Sequence, residues 1–138
     1  MKLFVLLAAA TLTMRDLPPT VRATVESQTK GAEIKSISKE TEDGKTHYEI
    51  ETIVNGKHRD LEIDLKGVVT EVEDETTIAA LPVAVKATIG KKAVGGRIAL
   101  VETVSSGGAI VAYEAEYVDK NGRKREVRVK PDGTEVKD

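Results

Sequence analysis

The sequence predicts an α+β fold built from two tandem units, each a helix followed by a four-stranded antiparallel meander, with the helices on one sheet face and the other face open. Three observations predict it. The segment Leu17-Pro18-Pro19-Thr20-Val21-Arg22-Ala23-Thr24-Val25 returns at an offset of 64 as Leu81-Pro82-Val83-Ala84-Val85-Lys86-Ala87-Thr88-Ile89. A fixed internal period of this size marks a duplicated supersecondary unit. Each copy then passes from helical to period-2 spacing. Glycine turns punctuate both copies at matching places, with Asn55-Gly56 answered by Asn121-Gly122.

Each unit opens on its helix. Leu17, Val21 and Val25 recur at i, i+4 and i+8, as do Leu81, Val85 and Ile89, which makes one apolar stripe per helix with Arg22, Glu26 and Lys86 turned outward. Proline suits the first helical turn, where its missing N–H costs nothing. Gly31 and the Gly95-Gly96 pair stop the helices. Helices of about three turns are marginal alone, so both must lie on a sheet.

In the first unit the strands run from Glu33 to Thr41, Thr46 to Val54, through Leu61, Ile63 and Leu65, and from Val68 to Val72. Tyr48, Ile50 and Thr52 face inward, and His47, Glu49 and Glu51 outward. Leu61, Ile63 and Leu65 are the inward row of the third strand, with Asp60, Glu62 and Asp64 opposite. Asp43-Gly44 and Asn55-Gly56 are hairpin turns. Ile34 and Ile37 have opposite parity, so a bulge is expected between them. In the second unit strands are predicted over Arg97 to Val104, Ala109 to Val118, Arg123 to Lys130 and Thr134 to Val136. Tyr113, Ala115 and Tyr117 form the inward row and Glu114 and Glu116 the outward one. The tyrosines are read as core residues, their hydroxyls at the rim.

Domain boundaries follow: residues 1–13 a secretory signal, 14–75 the first unit, 76–80 a connector and 81–138 the second unit. The signal rests on Met1-Lys2, the apolar run Leu3 to Leu7 and the small residues Ala8-Ala9-Ala10, with cleavage near Ala10. That stretch is too short to span a bilayer, so no membrane span is expected in the mature chain, which is exported to the periplasm or secreted.

Composition excludes several functions. The 138 residues carry 21 basic and 23 acidic side chains, which leaves no electrostatic footprint for nucleic acid. There is no cysteine, so disulfides, thiolate catalysis and zinc–sulfur sites are excluded. Ser105 and Ser106 lie in a turn, and both histidines belong to the other repeat, so no nucleophile meets a base. The glycine pairs lack the residues of a phosphate loop. The chain is read as a non-enzyme without a cofactor.

The order Leu-Pro-x-x-Val-x-x-Thr, a glycine, an isoleucine-bearing strand, a turn glycine, Tyr-Glu-x-Glu (Tyr48 to Glu51 and Tyr113 to Glu116), Asn-Gly and a closing Lys-Gly or Asp-Gly resembles the PepSY-like domains of exported bacterial proteins. The resemblance covers residues 17 to 138. It implies a fold like that of the β-lactamase inhibitory protein, and a binding or inhibitory module outside the cytoplasm that recognises a protein, with peptidases among the candidates.

The outward rows supply the residues expected to meet that partner: His47, Glu49, Glu51, Glu62, Glu114, Glu116 and Arg128. Lys45, Lys57 and Arg59 are expected to offset the acidic row of the first unit. Glu126, Arg128 and Lys130 make the second unit's face mixed in charge, and a divided surface of this kind orients a partner. His47 and His58 lack the HxH or HExxH spacing of a metal site and are read as surface histidines, so no metal is assigned. Two further readings stay open: a calcium-like cation held on the acidic face, and a structural spacer in a larger envelope assembly.

Overall fold

The computed structural model describes residues 11–137. The chain divides after residue 74 into two compact units. The secretory-signal reading rests on residues 1–10, which lie outside the described residues.

The first unit begins with a 3₁₀ turn, Met14–Asp16, followed by α1, Pro19–Gln28. Strands β1 (Glu33–Glu42), β2 (Lys45–Val54), β3 (Lys57–Asp64) and β4 (Val69–Thr76) form an antiparallel meander in chain order. Asp43 and Gly44, and again Asn55 and Gly56, have both φ angles positive. This turn geometry matches the right-handed twist of the strands it joins. The expected bulge lies between Ile34 and Ser36.

Val21 and Val25 are fully buried, and with Leu17 they pack on Ile37, Tyr48, Ile50, Leu61 and Ile63. The helix therefore sits on the inward row, where each buried valine contributes about 1.5–3 kcal/mol. Leu12 joins this cluster and donates its N–H to the Ile37 carbonyl at 3.0 Å. Arg22, expected to point outward, is half-buried: its guanidinium donates to the carbonyls of Met14 at 3.0 Å and Leu17 at 3.1 Å. It thereby ties the 3₁₀ turn to the helix.

Leu65 departs from the expected inward row and is half exposed. The reason is local. Asp64 accepts the N–H groups of Lys66 and Val68, both at 2.9 Å, which ends the strand at Asp64 and turns the chain before Leu65 can pair.

The second unit repeats the plan with a 3₁₀ turn Ile78–Ala80, α2 (Val83–Lys92), β5 (Arg97–Ser106), β6 (Ala109–Val118) and β7 (Lys124–Val129). Pro82 is the N-cap residue here, as Pro18 is in α1, where Pro19 then takes the first helical position. Leu81, Val85 and Ile89 pack on Val101, Tyr113, Ala115, Tyr117, Val127 and Val129. Tyr48, Tyr113 and Tyr117 are all buried, as their parity predicts. A bulge between Ile98 and Leu100 matches the one in β1. The expected fourth strand, Thr134 to Val136, is reduced to a bridge between Val129 and Glu135, plus a bond from Val136 N–H to the Arg128 carbonyl at 2.9 Å.

Candidate functional site

In an antiparallel ladder, directly paired residues project from the same face. The face of the first unit opposite α1 can therefore be read from the register. Glu40 and Glu42 of β1 pair with His47 and Lys45 of β2. His47, Glu49 and Glu51 then pair with Asp64, Glu62 and Asp60 of β3. Asp60 and Glu62 pair in turn with Glu73 and Glu71 of β4. Glu33 of β1, paired with Ile53, joins them, so ten carboxylates share this face, and Lys45 is the one lysine or arginine among its paired residues.

Lys57 and Arg59 were expected to offset this charge. They pair instead with Val54 and Thr52, which belong to the row beneath α1. Arg59 lies 3.8 Å from Asp74. Four acid–acid pairs oppose one another directly: Glu49 with Glu62, Glu51 with Asp60, Asp60 with Glu73, and Glu62 with Glu71. Like charges directly opposite each other in a ladder are destabilising.

Outward register does not mean full exposure. Glu51 is exposed and Glu62 half-buried, but His47 is 7% and Glu49 8% exposed. The expectation of a solvent-facing row is corrected there. His58 is exposed, as read from the sequence, while His47 is not a surface histidine. His47 Nε2 lies 3.4 Å from Glu40 Oε2 and 3.7 Å from Glu62 Oε2. Glu62 is held by Thr70, whose hydroxyl donates to its Oε1 at 3.0 Å.

In the second unit Glu102 and Arg128 flank Glu114, and Glu116 pairs with Glu126. Glu114 was expected to face solvent but is only 3% exposed, and its Oε1 accepts from Arg128 Nη2 at 3.1 Å. Glu116 is half-buried. Glu114 and Arg128 thus neutralise each other, and the mixed charge read from the sequence is largely an internal ion pair. At the neighbouring turn, Asp119 accepts the N–H groups of Arg123 and Asn121 and the guanidinium of Arg125. Those donors, led by the Arg123 N–H, hold its carboxyl below the usual carboxylate value against a smaller opposing effect of desolvation.

Sequence reasoning missed Glu40, Glu71 and Glu73. Glu40 was legible as a carboxylate three residues before the Asp43-Gly44 turn, since a two-residue hairpin places it opposite His47. Glu71 lies within the predicted strand but meets Glu62 only through the register shift between Glu62 and Ile63, and Glu73 required the length of β4, which runs to Thr76 rather than stopping at Val72. No helix among the described residues is long and apolar enough to cross a membrane.

Residues 20–76 match the PepSY family, peptidase propeptide and YPEB domain. No curated protein matches the sequence. Among solved structures, a protein of Bacteroides eggerthii described as periplasmic is similar over 88% of this chain and 86% of its own, with TM-score 0.64 and 14% identity. A DUF2874 family protein from Bacteroides uniformis is similar over 87% of this chain and 86% of its own, with TM-score 0.63 and 17% identity. A BLIP-like protein from Bacteroides fragilis is similar over 88% of this chain and 84% of its own, with TM-score 0.54 and 14% identity. Residues 20–76 are therefore a PepSY-like segment, and the fold of the chain is similar to that of the BLIP-like protein.

Proposed function

We propose that this protein is a non-enzymatic recognition module of the bacterial cell envelope, whose first unit docks a cationic patch on a protein partner. The observation that carries this reading is the set of four directly opposed acid–acid pairs on the face away from α1. A merely solvated strand face has no need of such pairs. A face that stores repulsion releases it when a basic surface neutralises it, which favours the complex over the free state. A dense single-sign field also speeds encounter with an oppositely charged partner.

Within this reading Glu51 and Glu62 make the first contacts, and the buried His47 and Glu49 support them from behind. The Glu114–Arg128 pair holds the second unit's strands in register, with Glu116 beside it. The envelope location is supported by the Bacteroides protein described as periplasmic. The family description, peptidase propeptide, supports a peptidase as the partner and restraint of its activity as the outcome.

The test is retention of envelope and secreted proteins on the immobilised chain, beside a Glu42→Lys/Glu51→Lys variant. Both residues are exposed, so the variant should melt at the native temperature. The expected result is one protein retained by the native chain, lost with the variant, and released at high salt. Equal retention on both baits would overturn the reading.

A further inference from the structure

The region around His47 carries a second chemistry. Its side chain is 9% exposed, and its Nε2 is buried without a hydrogen-bond partner. A buried imidazole nitrogen left in that state costs free energy unless something occupies it. What faces it is a ring of carboxylate oxygens. Glu40, His47 and Glu49 each present one ligand atom, and these atoms all lie within 4.8 Å of one another. Glu62 Oε2 is 3.7 Å from the same Nε2.

The spacings are informative. A charge-assisted hydrogen bond from imidazole to carboxylate closes to about 2.7–2.9 Å. The 3.4 Å from His47 Nε2 to Glu40 Oε2 is well beyond that. It matches the edge of a tetrahedron, about 3.3 Å, when the bonds to its centre are about 2.0–2.1 Å, the lengths zinc makes to nitrogen and oxygen. Glu62 is oriented for the purpose. Thr70 holds Oε1 at 3.0 Å and leaves Oε2 as the oxygen nearer His47, the support that carboxylate ligands usually receive from a neighbouring donor.

We infer that Glu40, His47 and Glu49, with Glu62 beside them, form a binding site for a borderline divalent metal of the Zn²⁺ class. The donor set decides the class. Calcium takes six to eight oxygens and gains little from an imidazole, whereas zinc and its neighbours prefer the nitrogen. The three ligands come from the adjacent strands β1 and β2, with Glu62 of β3 beside them, so the ion would pin the β1–β2 register and relieve the Glu49–Glu62 repulsion.

The experiment uses the full chain stripped of metal by a chelator, titrated with zinc chloride in a calorimeter and followed by melting temperature. One ion per chain and a saturable rise in melting temperature are expected. Calcium chloride at the same concentrations should leave the melting temperature unchanged. Cobalt(II) should give the intense visible absorption of a tetrahedral site. His47→Gln should weaken zinc binding by at least about tenfold, while His58→Gln should leave it unchanged. Absence of binding, binding unaltered in His47→Gln, or equal stabilisation by calcium would each overturn the site. Should His47→Gln fail to fold, Glu40→Gln serves in its place, because that side chain is 40% exposed and tolerates the change. Native-like zinc affinity in that variant would likewise overturn the site. No partner protein enters this assay, so its failure leaves the docking reading standing, and the reverse also holds.

Discussion

The hydroxyl of Thr88 on α2 donates to the carbonyl of Gly133, 45 residues away, at 2.6 Å. Thr24 on α1 makes the same bond to Gly67 at 2.5 Å. Each threonine clamps its helix to the turn that follows the third strand of its unit. The duplicated threonine and the closing Lys-Gly or Asp-Gly are therefore two halves of one contact.

Removing one hydroxyl should show the worth of that clamp. Thr24→Val keeps the shape and leaves the Gly67 carbonyl without its partner, a loss of about 1–2 kcal/mol. Thr88→Val should cost a similar amount, and the double variant should be close to additive because the two contacts share no residue. Urea denaturation of the three variants checks this.

Two glycine-to-alanine changes should move stability in opposite directions. Gly67 has φ +83°, and a Cβ there would stand 2.7 Å from the Thr20 carbonyl oxygen. Gly67→Ala should cost about 2 kcal/mol or more, from left-handed backbone and collision together. Gly90 lies within α2, exposed, with nothing within 4 Å of an added Cβ. Gly90→Ala should stabilise by about 0.5–1 kcal/mol, since alanine gives up less backbone freedom on entering a helix. Melting temperatures read both.

The Glu114–Arg128 pair should be asymmetric to mutation. Arg128→Met leaves a carboxylate that is 3% exposed without its guanidinium, and should cost about 3 kcal/mol. Glu114→Gln keeps an acceptor for Arg128, whose side chain is 18% exposed and reaches water, and should cost clearly less. Chemical denaturation of both variants compares the two losses.

Asp119 should contribute to acid sensitivity. Its carboxyl is held below the ordinary 3.8, chiefly by the Arg123 N–H, so the folded state binds its proton more weakly than the unfolded chain. The resulting stability is fully present above pH 3.8 and is lost as pH falls through the lower folded value. The gap between the native chain and Asp119→Asn should be widest near neutrality and close toward pH 2. Unfolding curves at a series of pH values measure it.

Much of the architecture was legible because its signals are local. A 64-residue offset, an apolar stripe at helical spacing and Asp-Gly or Asn-Gly between alternating runs each depend on a few neighbouring residues. The bulge near Ile34 was legible for the same reason, as a break in parity within four positions. The candidate site was only partly legible: period-2 spacing put His47, Glu49, Glu51 and Glu62 on one face. It could not supply Glu73, whose strand outran its predicted end, or the register shift that sets Glu71 opposite Glu62; the parity of Lys57 and Arg59 with Leu61 and Ile63 already placed them on the opposite row.

By itself the sequence determined the α+β class, the two helices, the hairpins and the side of the sheet that Glu49, Glu51, Glu62, Glu114 and Glu116 take, because backbone periodicity and turn chemistry decide those features over short stretches. Only the tertiary structure decided which outward residues are covered. Alternation says which way a side chain points but not what stands over it, and the neighbours of His47 and Glu114 arrive from other strands. The Thr24–Gly67 clamp, the Glu114–Arg128 pair and the convergence of Glu40, His47 and Glu49 all join residues that strand pairing or helix docking brings together, so no local pattern announces them.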